Sequence, residues 1–139
     1  MLALLLPVDG SPGSDRAVNF VIQLYRDVTP VRIHLLHVLP LDDGVRLEST
    51  RPHADCNEDP GDGDRGLSSA RALLDHAGIP YANDVRRGFV PSTIIEYGRL
   101  TGCNGIVMGT RGMGSTDALL GSIARQVIHL SSVPVTLVK

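Results

Sequence analysis

The chain has 139 residues, 42% of them hydrophobic, and its 13 Lys and Arg against 15 Asp and Glu give a formal net charge of −2. This length suits one domain with its own core, and the small negative charge excludes the basic field that nucleic acids and anionic membranes attract. Cys56 and Cys103 form no CxxC pair, which argues against a disulfide scaffold and fits a reducing cytoplasm. No apolar run approaches the roughly 18 residues of a membrane span. We therefore expect a cytoplasmic protein with a single domain, residues 1–139.

Short apolar runs alternate with helical patterns, which is typical of βαβ repeats and a parallel sheet. The first half predicts a buried strand at residues 2–8, a helix opened by Ser14 and Asp15, and a strand at 31–38 that Pro40 ends. Residues 41–66 collect Asp, Gly, Pro and Glu without apolar periodicity. They predict an exposed loop with the composition of a disordered segment.

The second half repeats the alternation and completes the sheet. It predicts a helix at about 67–78, an edge strand at 81–87, a helix with Pro91 in its first turn and a strand at 104–108. A last helix carries Ile123, Val127 and Ile128 on its apolar face, and a final strand covers 134–138. Five strands and four helices predict an α/β fold: a five-stranded parallel doubly wound sheet, Rossmann-like, with helices on both faces.

Two loops follow predicted strands and contain polar or flexible residues. Asp9 and Gly10 follow the first strand, and Gly109 begins the loop after the fourth. Ligands of open α/β sheets bind outside the carboxyl ends of strands, where the strand order reverses. If these two strands are neighbours at that reversal, Asp9 faces the glycine loop across one crevice. Asp9 is equally well explained as a cap of the loop before the first helix.

The second loop is rich in glycine and runs into the last helix. Gly109, Gly112, Gly114 and Gly121 precede Ser122. Glycines let successive backbone N–H groups form an anion-binding concavity, and the following helix adds a dipole of about +0.5 charge. Ser122 either caps that helix or donates its hydroxyl to a phosphate oxygen. The alternative is a plain glycine-rich turn.

This loop is close to a P-loop without completing one. The stretch from Gly109 to Thr116 has the glycine spacing, but Ser115 occupies the position of the phosphate-binding Lys. The substitution favours nucleotide binding over catalysis, with at most weak ATP hydrolysis. Arg111 lies inside the loop, where it either reaches a phosphate or is solvated.

Four segments resemble the universal stress protein family in order and spacing: PVDGSPGSDRAV, LLHVLP, IVMGTRGMGSTDALLGSIARQVI and PVTLVK. The similarity covers nearly the whole chain except residues 41–66. The resemblance implies a five-stranded domain of the adenine nucleotide alpha hydrolase-like class and a homodimer through the C-terminal strand, residues 133–138. One branch of the family holds ATP, with or without Mg²⁺, on a Gly-x2-Gly-x9-Gly-Ser/Thr motif, and this chain resembles that branch.

The resemblance also implies roles for individual residues. Asp9 would contact the ribose or adenine, and the backbone of Val38 would face adenine. The candidate cofactor-binding residues are Pro7, Val8, Asp9, Val38, Met108, Gly109, Arg111, Gly112, Gly121, Ser122 and Ile123. The chain departs from the motif because the eight residues 113–120 are one fewer than the pattern has. A missing residue in a helical turn would rotate the residues after it by about 100°, whereas a flexible loop would absorb the difference.

Three other candidates have weaker patterns. His34 and His37 are three apart on a strand and point to opposite faces, so they cannot share a metal. We expect one in the core and the other near the crevice. Cys103 lies in a predicted helix-to-strand turn with no matched His base, which disfavours a thiol nucleophile.

The acidic loop has a partial calcium pattern. Asp55, Asn57 and Asp59 match the start of a calcium loop, but Pro60 and Gly66 occupy the positions of the turn Gly and the bidentate Glu. A solvated acidic loop is the simpler explanation, and we predict no metal site.

Three functions are compatible with these patterns. The first is a nucleotide-binding regulatory protein of the stress response, acting as a dimer that responds to ATP. The second is a slow ATPase or phosphoryl-transfer protein, for which only Asp9 and Ser122 are plausible helpers and no general base is evident. The third is a dimerisation module with a vestigial pocket.

Overall fold

The computed structural model describes residues 2–28, 30–41, 60–110 and 121–139, with residues 60–64 described by their backbone alone. Strands and helices alternate along these ranges. In chain order they are β1 (Leu2–Pro7), α1 (Pro12–Asp27), β2 (Val31–Pro40), α2 (Pro60–Ala77), β3 (Ala82–Gly88), α3 (Val90–Thr101), β4 (Gly105–Gly109), α4 (Ser122–Leu130) and β5 (Val135–Val138).

The strands form one parallel sheet in the order β3-β2-β1-β4-β5. The chain builds outward from β1 to β2 and β3 and then crosses to β4 on the other side, where Leu4 pairs with Gly105 and Leu5 with Ile106. The strand order therefore reverses between β1 and β4. This topology confirms the predicted doubly wound fold, the edge position of β3 and the adjacency on which the crevice depended.

Two hydrophobic clusters lie on opposite faces of the sheet, because side chains alternate along each strand. On one face, α1 and α2 pack against the sheet, with Val18, Val21, Ile33, Leu35 and Leu74 among the buried residues. On the other face, α3 and α4 pack around Leu5, Leu36, Ile94, Ile106 and Val127. Aliphatic side chains make up most of both clusters, as the scarcity of aromatic residues in the sequence requires, and Tyr97 is the one buried aromatic residue among those described.

The predicted loop at 41–66 was wrong in its last part, because α2 already begins at Pro60. The sequence from 60 to 66 has weak helix propensity, but the helix continues into Leu67 and Leu74, which are buried. Gly66 is itself buried, and a Cβ there would overlap the ring of His37. Tertiary packing therefore decides the conformation. Residues 42–59, with the predicted calcium-like pattern, lie outside the described residues.

The last helix also differs from its prediction. Ala124 and Val127 are buried, whereas Ile123 and Ile128 of the predicted apolar face are exposed. The helix has only nine residues and packs on the sheet through the narrow stripe of positions 124 and 127. Its remaining apolar side chains are left uncovered within the described part of the chain.

Helix ends and the two histidines also bear on the sequence predictions. Ser11 caps α1, which begins at Pro12, two to three residues before the predicted start. Cys103 lies in the turn between α3 and β4, as predicted, and is buried. His34 faces Tyr97 of α3, whereas the ring of His37 lies beside Gly66 of α2, so the two point to opposite faces.

None of the helices within the described ranges is both long and apolar enough to cross a membrane.

Candidate functional site

A cavity of about 600 Å³ opens at the carboxyl ends of β1, β2 and β4, where the strand order reverses. The first turns of α1, α3 and α4 complete its walls. Most of the walls are apolar, and the ionisable side chains among the lining residues are those of Asp9 and His37. The cavity thus combines an apolar interior with a few polar groups at one edge, which is the usual composition of a small-molecule site.

Asp9 organises the loop that enters α1. Its Oδ1 accepts a hydrogen bond from the backbone N–H of Ser11 at 3.0 Å and another from Ser14 Oγ at 2.8 Å. Ser14 Oγ in turn accepts from the backbone N–H of Asp9 at 3.0 Å, and Ser11 Oγ accepts from Ser14 N at 3.3 Å. Gly10 has a φ of 83°, a conformation that favours glycine. Asp9 is therefore a loop-organising residue and a cavity-lining residue at once.

His37 ties the ends of β1 and β2 together on the side of the cavity. Its Nδ1 lies 2.8 Å from the carbonyl oxygen of Val8. Because a carbonyl oxygen only accepts, Nδ1 must carry the proton, which fixes the tautomer. The expectation of one histidine near the crevice is confirmed by His37, which lines the cavity. The expected core histidine, His34, is only half-buried, although both of its ring nitrogens are buried.

The amino terminus of α4 opens into the cavity. Gly121 is its N-cap, without a side-chain hydrogen bond, and the first intrahelical bond runs from Arg125 N to Gly121 O at 3.0 Å. The N–H groups of Ser122, Ile123 and Ala124 therefore have no partner inside the helix. All three residues line the cavity. Three donors without a partner among the described residues, together with the positive end of the helix dipole, therefore point into the cavity.

Gly121 is held in place by a bond back to the end of β4. Its backbone N–H donates to the carbonyl oxygen of Thr110 at 2.7 Å. This bond fixes where the glycine-rich loop leaves β4 and where it returns to α4. Ser122 was predicted as a possible helix cap; instead Gly121 holds that position, and Ser122 is the first helical residue, with an exposed side chain.

The predicted site residues come together wherever the structure describes them. Those that line the cavity are Pro7, Val8, Asp9, Val38, Met108, Gly109, Gly121, Ser122 and Ile123. Arg111 and Gly112 lie outside the described residues, as do Gly114 and Ser115. Binding by these residues stays a prediction.

Sequence reasoning missed part of the wall. The missed lining residues are Ser14, Leu36, Pro40, Val90, Ile94, Thr110 and Ala124. A usable signal existed for Val90 and Ile94, because Pro91 starts a helix directly after β3. The carboxyl ends of parallel strands share one edge of the sheet, so the first turn of that helix had to lie near the crevice.

Other candidate chemistry has no support within the described residues. No three His, Cys, Asp or Glu side chains of that part of the chain are placed to hold a metal ion. Cys103 is buried, with Thr101 Oγ1 3.3 Å from its Sγ.

Comparisons with known proteins agree with this fold. A universal stress protein of Methanocaldococcus jannaschii is 25% identical over 98% of this chain and 81% of its own. The universal stress protein of Archaeoglobus fulgidus, solved in complex with dAMP, matches with a TM-score of 0.74, 22% identity and coverage of 100% and 98% of the two chains. A universal stress protein family protein of Arabidopsis thaliana, solved with AMP bound, matches with a TM-score of 0.72, 15% identity and coverage of 100% and 92%.

The family model agrees with these likenesses over almost the full length. The model described as "Universal stress protein family" matches residues 2–139. That range contains the reversal point of the sheet, the cavity and the amino terminus of α4. The chain belongs to the universal stress protein family.

Proposed function

We propose that the cavity binds an adenine nucleotide, with ATP and its Mg²⁺ as the ligand that the glycine motif indicates. The protein then acts as a cytoplasmic, nucleotide-dependent regulator of the stress response. The observation that carries the proposal is the amino terminus of α4, which presents three N–H groups without a partner among the described residues to a cavity that is otherwise mostly apolar. Such a site is complementary to a molecule with an anionic end and an apolar ring.

The phosphate end is supported by the backbone rather than by basic side chains. No Lys or Arg is among the residues that line the cavity within the described ranges. A phosphate there would accept hydrogen bonds from the N–H groups of residues 122–124, with the exposed hydroxyl of Ser122 as a further donor. Neutral donors of this kind bind the phosphate without strongly polarising any one of its P–O bonds.

Binding of the adenine base is supported by the direction in which the backbone N–H and C=O groups point at the end of β2. Val8 N donates to Leu36 O at 2.8 Å, so Leu36 directs its carbonyl group toward β1. Backbone groups alternate along a strand, so Val38, two residues on, also directs its N–H and C=O toward the β1 side. β1 ends at Pro7, and Val38 lines the cavity. A base edge with a donor beside an acceptor would pair with this backbone segment.

The likeness to solved nucleotide complexes is a second support. The Archaeoglobus fulgidus protein was solved with dAMP and the Arabidopsis thaliana protein with AMP, each on the same fold. Both ligands join an adenine to one phosphate. The cavity of this chain, with apolar walls and helix donors, suits that chemistry.

We also propose that the protein is a homodimer through β5. Pro134 O accepts a hydrogen bond from Ile106 N of β4, and Val138 O accepts one from Thr110 N, directly after β4. Val135 and Leu137 therefore direct their backbone groups away from β4, toward the open edge of the sheet. An edge of this kind can pair with a second copy across a two-fold axis. Exposed Ile128 and Leu130 on α4, next along the chain, supply apolar surface near that edge.

Isothermal titration calorimetry with the full chain tests the nucleotide proposal. ATP, AMP and adenosine are titrated separately, with and without Mg²⁺. We expect saturable binding of both nucleotides and at least tenfold weaker binding of adenosine, because adenosine leaves the α4 donors unpaired. A ligand at about 100 times its Kd stabilises the native state by about 2.7 kcal/mol, so thermal unfolding offers a second readout. No heat and no thermal shift at millimolar MgATP, with the fold confirmed by circular dichroism, would refute the proposal.

A further inference from the structure

A second, smaller groove lies at the rim of the nucleotide cavity. It has a volume of about 250 Å³ and lies between the end of β2, the start of α3 and the outer side of α4. Pro40, Val90 and Ile123 line both the cavity and this rim groove. The two spaces are therefore neighbours, so a substituent that leaves the cavity past these three residues would enter the groove.

The walls of the rim groove are almost entirely apolar. Leu41, Phe89 and Pro91 line it, and Gln126 is its one side chain with hydrogen-bonding groups among the residues described there. No charged side chain is among the described residues of this lining. The described walls therefore favour an uncharged occupant, such as a group on the base end of a nucleotide, over its phosphate end.

Phe89 occupies the N-cap position of α3, where a polar residue is normally preferred. It is the N-cap of α3 and makes no side-chain hydrogen bond to the first turn, where Ser, Thr, Asp or Asn would cap the helix. Its side chain is 60% exposed, and that of Leu41, also in the groove, is 59% exposed. Two large apolar side chains thus face solvent at the rim of a ligand cavity, one of them in a position where a polar residue would stabilise the helix.

We propose that the rim groove takes an uncharged apolar substituent carried on the base of a purine nucleotide, such as an alkyl or aryl group on its amino nitrogen. This inference rests on the proposed nucleotide function and narrows its ligand class. The size fits, because a dry cavity of about 150 Å³ engineered in another protein holds benzene. The direction fits as well, because the groove includes Pro40, two residues beyond the Val38 backbone that is proposed to face the base.

Calorimetric titration of the full chain with AMP, N6-benzyl-AMP and 2-phenylamino-AMP tests the inference. The two probes place the same uncharged ring on different edges of the base. We expect at least one probe to bind tenfold or more tightly than AMP. In Phe89→Ser we expect that gain to fall to twofold or less while the Kd of AMP stays within twofold. Serine is a preferred N-cap, so the variant keeps its helix, which a thermal melt verifies.

Leu100→Ser is the matched control. Leu100 is 63% exposed and lies on the same helix, near its other end and away from the groove. It should change the affinity of neither AMP nor the probes. If AMP binds but both probes bind no tighter, or if the gain survives Phe89→Ser, the inference is overturned and the proposed function stands. If neither AMP nor the probes bind, the proposed function fails and the inference falls with it.

Discussion

Gly109 and Gly13 touch through their backbones, because a Cβ on Gly109 would lie only 2.7 Å from the carbonyl oxygen of Gly13. Gly109 ends β4, and Gly13 lies in the first turn of α1. Gly109 does not have a positive φ angle, so its backbone conformation does not require glycine. Glycine is required because a side chain would collide with the backbone of Gly13. This contact sets how closely the first turn of α1 approaches the end of β4 at the floor of the cavity.

Gly109→Ala should therefore destabilise the protein and weaken nucleotide binding together. The methyl group meets backbone atoms, which cannot rotate away, and overpacking of this kind costs about 1–3 kcal/mol. Urea unfolding and ATP titration measure the two effects. Gly102→Ala is the control: its site has a φ of 70° and no atom within 4 Å, so only backbone strain of about 1–2 kcal/mol is expected, without loss of ATP affinity. Unchanged stability and affinity in Gly109→Ala would contradict the contact.

Asp9→Asn should separate the structural role of Asp9 from its proposed binding role. Asparagine keeps an Oδ1 that accepts from Ser11 N and Ser14 Oγ, but it replaces the other carboxylate oxygen with a donor. If the carboxylate accepts a ribose hydroxyl, AMP affinity should fall about tenfold, the magnitude of one charge-assisted hydrogen bond. Calorimetry measures that affinity.

Asp9→Ala is the companion variant, and it should also lower the melting temperature, because the N–H of Ser11 and the hydroxyl of Ser14 lose their acceptor. An AMP affinity that is unchanged in Asp9→Asn would remove Asp9 from the ligand contacts and leave it only its loop role.

His34 should make the protein less stable in acid. Burial, followed by the nearby charge of Arg32, lowers the pKa of His34 from 6.5, and neither ring nitrogen has a hydrogen-bond partner among the described residues. Tyr97 of α3 packs edge-on against the ring, and Arg86 of β3 lies over Tyr97. No carboxylate among the described residues hydrogen-bonds to either ring nitrogen of His34. Below pH 6.5 the unfolded chain binds a proton that the folded chain resists, and stability falls with pH.

Urea midpoints at pH 7.5 and 5.5 for the wild type and His34→Leu test this sign. The wild type should lose more stability on acidification than the variant, because leucine cannot take up the proton. The variant should also match or exceed the wild type at pH 7.5, since it buries no unpaired nitrogen. An identical pH dependence of the two proteins would show that His34 does not titrate as its surroundings indicate.

Leu137→Pro should separate the proposed dimer without breaking the sheet. Leu137 directs its backbone away from β4, and edge positions of this kind tolerate proline. Proline removes the outward N–H that a second copy would use. Leu137→Ala is the matched control, since it loses the same side-chain packing and keeps the N–H. Sedimentation equilibrium should give a dimer for the wild type and Leu137→Ala and a monomer for Leu137→Pro. A dimeric Leu137→Pro would place the interface elsewhere.

The sequence predicted the fold well because its signals were local and repeated. Buried parallel strands are short apolar runs in the sequence and were predicted from them. The sequence left open whether β1 and β4 are neighbours, and the structure shows that they are, with the strand order reversing between them. The start of α2 was missed because Gly66 and the residues before it form a helix for tertiary reasons. A glycine there fits under the His37 ring, which no local pattern reveals.

The site was predicted in part for a similar reason. Residues at strand ends, such as Asp9 and Gly109, carried visible chemical signals, whereas wall residues such as Ile94 and Ala124 look like ordinary core positions. Of the two roles left open for Ser122, the capping role is excluded, because Gly121, fixed by its bond to Thr110, takes the N-cap position although serine is the favoured cap by type. Tertiary contacts, rather than residue type, determine the role of these residues in the site.

The central claim is that the amino terminus of α4 holds the phosphate of a nucleotide, and Ser122→Glu tests it most directly. A carboxylate in the first turn is stabilised by the positive end of the helix dipole, so the variant should stay folded. The added negative charge should repel the phosphate. Ser132→Glu is the control, because it adds the same charge beyond the other end of α4, about 15 Å away along the helix axis. Calorimetric ATP titration of the three proteins is the measurement. We predict a loss of at least thirtyfold in ATP affinity for Ser122→Glu and less than twofold for Ser132→Glu, whereas equal affinity in all three would contradict the account.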